Sequence, residues 1–296
     1  MKIFEELAAQ VAKEWQKRDH NLEAFTAIAT TALADFKYDW SLEILNRQLR
    51  SWALRESARP AQISVYNTFG QPSITLFNNE RFAVDLYFWV DFDTSIHSHG
   101  FRGAFKVIHG ESLQEVFRTP VLETISDDLI IVDMADAKVE KLAQGSVRSI
   151  APGSDLTHRV IHLTNPTVSL CVKTINEPVL KQWTYLPSGL AIQRQNLSAD
   201  LIKKVYVCQY LLSQAGGEEF LSSLLDGLKR SEQIHLYEEI ASGALGLREE
   251  VVEAMTGAIL GRHESEKWWG LYEEDYLNQE AADEMKARLL RAARDQ

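Results

Sequence analysis

The stretch that decides the fold is TSIHSHGFRGAFKVIHGESLQEVF, residues 94–117. His97 and His99 stand two apart in a run that otherwise reads as β-strand. Residues i and i+2 of a strand point to one face, roughly 6.6 Å apart along the chain. Two imidazoles so placed can close on one metal ion. An interrupted apolar run follows (Ala104, Phe105, Val107, Ile108), then the turn pair His109-Gly110 and a returning strand at 113–117. The pattern predicts a β-hairpin that carries part of a metal site. An H-x-H is short, and it also fits two histidines on an exposed edge strand.

Residues 145–170, GSVRSIAPGSDLTHRVIHLTNPTVSL, bear on that choice. They predict a strand at 146–150, a Pro152-Gly153 turn, a strand carrying His158, and a turn at Asn165-Pro166. An H-x-H hairpin, a gap of tens of residues, then P-G and a third histidine resembles the layout of a cupin barrel. Three neutral imidazoles with open positions suit Fe(II) first, with Zn, Ni or Cu as alternatives. The expected metal ligands are His97, His99 and His158.

IHSH…FKVIHGESLQEVF followed by LTHRV…NPTVSL resembles the cysteine dioxygenase family of thiol dioxygenases over about residues 50–175. The segment Ser51-Trp52-Ala53-Leu54 also resembles the lead into that family's barrel. The resemblance implies a small cupin barrel with three histidines on a non-haem Fe(II), a small-molecule substrate and O2. The departures are specific. Gly103 and Ala104 stand where cupins generally carry a glutamate, as in thiol dioxygenases. Ala104 also replaces the cysteine that some members cross-link to a tyrosine. Lys173 falls on that tyrosine position and Cys171 on a nearby histidine position. Gln71 aligns with the arginine that grips the substrate carboxylate. Metal binding carries over by this resemblance, and cysteine as substrate does not.

The chain has 296 residues, 45% hydrophobic and 25% charged, which describes a globular protein. No apolar run approaches the ~20 residues of a membrane span. The amphipathic start MKIFEELAAQVAKEW has no cleavable apolar core. Two cysteines, Cys171 and Cys208, give no disulfide framework or zinc cluster. Cytoplasmic residence is the expectation. The net charge of −11 argues against a nucleic-acid partner.

Helical spacing of Phe4, Leu7, Ala8, Val11 and Trp15 opens a run of helices to about 55, the third capped by Asp39 or Ser41. From Ile63 to about Tyr185 the period shifts towards two. Strands are expected at 73–77 and 82–90, the second with Val84, Leu86 and Phe88 on one face and Asp85 and Tyr87 on the other. Further strands fall at 129–132 and 146–150. Beyond Pro187-Ser188-Gly189 helices are expected at about 198–214, 216–229, 232–242, 247–261 and 278–294. Trp268, Trp269, Tyr272 and Tyr276 read as an aromatic cluster in a linker. The fold class is therefore α+β, a cupin-type β-barrel or jelly roll (56–190) flanked by an N-terminal helical region (1–55) and a C-terminal helical domain (191–296). The apolar helix faces need cover, from the barrel or from a second copy in a homodimer.

Other side chains compete for the site. His162 shares a strand face with His158 but lies roughly 13 Å further along an extended strand. His109 sits by a turn, where it can orient a ligand or serve structure alone. Gln71, in FGQPS, is a pocket residue by alignment and otherwise a turn residue. Arg102 is the nearest candidate to meet an anion, and otherwise a solvated hairpin arginine. Tyr66, Tyr87, Trp183 and Tyr185 are pocket-lining or core. His235 and His263 are isolated.

Two functions from different classes follow. The first is a mononuclear non-haem iron oxygenase, thiol-dioxygenase-like, acting on a small molecule other than free cysteine. The second is a non-catalytic metal-binding cupin that senses or binds a small ligand, with the C-terminal helices as effector. A Zn or Ni cupin with isomerase or lyase chemistry is a third reading.

Overall fold

The structure is a computed structural model that describes residues 2–37, 41–54, 60–63, 70–90, 93–134, 137–175, 177, 180–194 and 197–277. Three helices come first: α1 (Lys2–Gln16), α2 (Leu22–Asp35) and α3 (Leu42–Ala53). The strands are β1 (Ser73–Asn78), β2 (Phe82–Trp89), β3 (Ile96–His99), β4 (Gly103–His109), β5 (Ser112–Phe117), β6 (Val121–Ser126), β7 (Leu129–Val132), β8 (Lys138–Leu142), β9 (Val147–Ile150), β10 (Gly153–His162), β11 (Thr167–Thr174), β12 (Trp183–Tyr185) and β13 (Leu190–Gln193). The helices α4 (Ala199–Leu211), α5 (Gly217–Asp226), α6 (Arg230–Ala241), α7 (Glu249–His263) and α8 (Lys267–Leu277) follow. The described residues form two compact units, one from the chain up to Thr119 with 135–182, the other from 120–134 with 183 onward.

In the first unit β1-β2-β11-β4-β9 form an antiparallel sheet, and β3-β10-β5-β8 pair in that order. On β2, Phe82, Val84, Leu86 and Phe88 face a core shared with Phe4, Leu7, Val11, Trp15 and Phe25 of α1 and α2. Both faces of β2 are covered, so all eight of its residues are buried. The N-terminal helices bury their apolar stripes on this sheet. Asn21 caps α2 by accepting from the Glu23 N–H, and Ser41 caps α3 by accepting from Ile44. The Lys106 ammonium reaches through from β4 to donate to the carbonyls of Leu33 (2.9 Å) and Phe36 (2.7 Å), satisfying the C-terminal end of α2.

The second unit pairs β6-β7-β13-β12 and packs Leu129, Ile131, Leu190 and Ile192 against the helices α4 to α8. The Asp128 carboxylate accepts from the Ser231 N–H at the start of α6 (2.7 Å) and from Ser126 (2.6 Å).

The mixture of helices and antiparallel sheet agrees with the sequence reading. Closure does not: among the described residues the strands form sheets with free edges such as β1 and β9, not a closed barrel. The expected aromatic linker is corrected too. Trp268 and Trp269 lie on α8, 2% and 1% exposed, both rings packing on His263 and Trp269 also on Tyr272. The strands β6, β8, β12 and β13 were not foreseen. Asp39, Tyr66 and the helix expected at 278–294 lie outside the described residues. Among the described residues no helix is long and apolar enough to cross a membrane.

Candidate metal centre

His97 and His99 alternate on β3, and His158 pairs with His97 across the β10–β3 ladder. A regular ladder would then set Leu156 opposite His99; instead Gly153 lies there. Residues 154–156 are thus thrown outward, with Ser154 and Asp155 exposed. Gly153 opens this irregularity at φ +63°, a left-handed conformation that favours glycine. The three imidazole rings converge with centroids 4.7, 4.8 and 5.0 Å apart. One nitrogen from each lies within 4.8 Å of the others, and all three side chains are buried.

The donor set fits a metal. His97 Nδ1 lies 2.8 Å from the Ser95 carbonyl oxygen. Only an N–H satisfies that acceptor, so Nδ1 carries the proton and Nε2 is left as ligand. Among the described residues both nitrogens of His158 and Nδ1 of His99 are buried without a hydrogen-bond partner, a costly state that a metal bond relieves. Burial, then the charges of His97, His158 and Lys173, hold His99 well below the usual imidazole range, and burial followed by His97 does the same for His158. His99 and His158 are therefore neutral before any metal arrives.

The other sequence candidates have partners of their own in the fold. Gln71 is exposed in the turn before β1, where its backbone N–H donates to Phe88 (2.5 Å). The Arg102 fork is occupied by the chain's own carboxylates: Nη1 donates to Glu177 and Nη2 to Glu23 at 2.5 Å. The role of meeting an anion leaves it no free fork. His109 ends β4, half-buried, before the Gly110 turn. His162 stacks on Trp89 with ring centroids 4.6 Å apart, and its Nδ1 lies 3.0 Å from Ser112 Oγ. It stands outside the three-histidine group. Cys171 is buried on the inner sheet face, its thiol pushed up to about 12 by burial, so it is protonated. Trp183 and Tyr185 belong to β12 of the second unit.

Sequence reasoning missed one group. Asp85, Tyr87 and Lys173 hydrogen-bond together on the inner face of the five-stranded sheet. Two signals pointed to it: charged residues inside otherwise apolar strands, and the inward parity of Asp85 and Tyr87.

His162 yields a pH prediction. Burial holds it at about 4 in the fold, against an ordinary 6.5, with Asp93 opposing. Below pH 6.5 the unfolded chain therefore takes up a proton that the folded chain refuses. The stability present above pH 6.5 is lost as the pH falls towards 4, about 3 kcal/mol for this residue. In His162→Phe, which keeps an aromatic ring against Trp89, urea midpoints at pH 7 and pH 4.5 should differ less than in the parent. Equal differences would show that another group carries the acid sensitivity.

No protein-family model matches the chain, and no curated protein matches it. Parts of it are similar to solved structures. One is a Thermus thermophilus protein (21% identity, 38% of this chain and 90% of that one, TM-score 0.26). Another is a cupin superfamily protein from Desulfitobacterium hafniense (13% identity, 41% and 100% covered, TM-score 0.25). A third is a DMSP lyase from Ruegeria pomeroyi (12% identity, 50% and 73% covered, TM-score 0.29). These likenesses are partial and remote, and the reading of the site rests on its geometry.

Proposed function

We propose that the first unit is a cupin-type jelly roll whose His97, His99 and His158 hold Fe(II), and that it works as a thiol-dioxygenase-like oxygenase on a small molecule other than free cysteine. The observation that carries this reading is three buried imidazoles with ligand atoms within 4.8 Å of one another, with no carboxylate in the group. Such a set keeps the charge of a divalent ion intact, which favours an anionic ligand such as a thiolate.

When bound, the ion supplies open coordination positions and redox chemistry toward O2. The chain's own residues do the rest. The Ser95 carbonyl fixes the tautomer and aim of His97. Phe101, 5.0 Å from the His99 ring, covers that ligand with an apolar side chain. Tyr87, held above the ordinary phenol range by burial, keeps its proton on Oη.

The test is O2 consumption by the Fe(II)-loaded protein with cysteine, cysteamine, 3-mercaptopropionate and bulkier thiols. Uptake with a thiol other than cysteine is expected, absent in His158→Ala. No uptake with any thiol would favour a protein that binds a ligand without turnover.

A further inference from the structure

The inner face of the five-stranded sheet carries buried polar groups that metal binding does not use. Asp85 and Tyr87 lie on β2 and Lys173 on β11, all on the face opposite the helix-covered core. They are 3%, 8% and 8% exposed. Lys173 Nζ lies 2.7 Å from Asp85 Oδ2 and 2.8 Å from Tyr87 Oη, and the Tyr87 hydroxyl donates to Asp85 Oδ2 at 3.2 Å. The cluster faces the histidines: the Phe101 ring centroid is 5.4 Å from Lys173 Nζ and 5.0 Å from the His99 ring.

Among the described residues two hydrogen-bonding positions stay open. An ammonium has three N–H donors, and the bonds to Asp85 and Tyr87 use two. Asp85 Oδ1 is buried and has no partner. A carboxylate oxygen left so is costly unless a ligand or a water completes it. Burial opposes the Lys173 charge, and the Tyr87 oxygen and the Asp85 carboxylate hydrogen-bonded to it outweigh that, so the ammonium stays charged beside the Asp85 carboxylate. The wall thus offers one donor and one acceptor with no net charge.

We propose that Asp85 and Lys173 form the subsite for the polar end of the substrate, and that it takes an uncharged group of the carboxamide class, its carbonyl on Lys173 Nζ and its N–H on Asp85 Oδ1. A carboxylate would meet the Asp85 charge, and an ammonium would meet that of Lys173. A neutral donor–acceptor group satisfies both atoms without adding charge to a buried wall. The subsite rests on the reading that the three histidines hold a metal.

Four probes share a metal-binding thiol end and differ at the other: 3-mercaptopropionamide, 3-mercaptopropionate, cysteamine and 1-propanethiol. Their affinities for the Co(II)-loaded full chain can be read from the thiolate-to-cobalt absorption band. The amide should bind about tenfold more tightly than propanethiol and ahead of both charged probes. In Asp85→Leu/Lys173→Met, which removes both charges together, cobalt should stay bound and the amide should lose its advantage. Asp85→Asn leaves the ammonium unopposed, so the order should shift towards the carboxylate, and this variant serves if the double one does not fold. Four equal affinities in the parent, a charged probe ahead of the amide, an advantage that survives the double variant, or cobalt held with no probe seated would each overturn the subsite. A parent chain that holds no cobalt would overturn the metal reading, and the subsite with it.

Discussion

His158→Ala is expected to cost the protein its metal. After anaerobic loading and dialysis the parent should retain about one divalent ion per chain, and His97→Ala, His99→Ala and His158→Ala should each bind on the order of 100-fold or more weakly. A closed set of ligands is worth roughly 10–16 kcal/mol near neutral pH, so one imidazole carries about 3 kcal/mol of it. His158 is the sharpest case, because both of its nitrogens are buried and unpartnered. His162→Ala should retain the metal, since His162 is packed on Trp89 outside the group. Circular dichroism separates lost ligation from lost fold. If all three single variants hold the ion as well as the parent does, the centre lies elsewhere.

Glu177→Ala should destabilise the fold by about 3–5 kcal/mol. The Glu177 side chain is 6% exposed and the Arg102 side chain it holds 12%. Thr174 Oγ1 also donates to Glu177, and the Arg102 N–H donates to Thr174 Oγ1 at 2.9 Å. Removing the carboxylate leaves a guanidinium mostly out of water with, among the described residues, only the exposed Glu23 as counterion. Arg102→Met/Glu177→Leu, which removes both charges, should recover most of the loss and leave the affinity for metal unchanged. Urea unfolding measures both. A cost below about 1 kcal/mol for Glu177→Ala would show that the pair behaves as a surface contact.

The sequence alone determined the three-histidine group. The i, i+2 parity of His97 and His99 is a property of any strand, and the resemblance in layout, a turn followed by a third histidine on an apolar strand, added His158. It also determined the alternation that turns Val84, Leu86 and Phe88 away from Asp85 and Tyr87, and the helical stripes of α1 and α2. Local spacing sets these features, so local spacing reveals them.

Only the tertiary structure decided what each charged side chain meets. Arg102 read as a solvated cation or an anion anchor, and it is held by Glu177, 75 positions away in sequence. Lys173 meets Tyr87, 86 positions away, because β11 lies beside β2. Residues 129–132 read as a strand, and only the packing shows that Leu129 and Ile131 cover the helices of the second unit. Strand order and the choice of neighbouring layer follow from burying apolar faces across the whole chain. No window of a dozen residues holds that information, and a buried charge takes as its partner whatever that packing brings within reach.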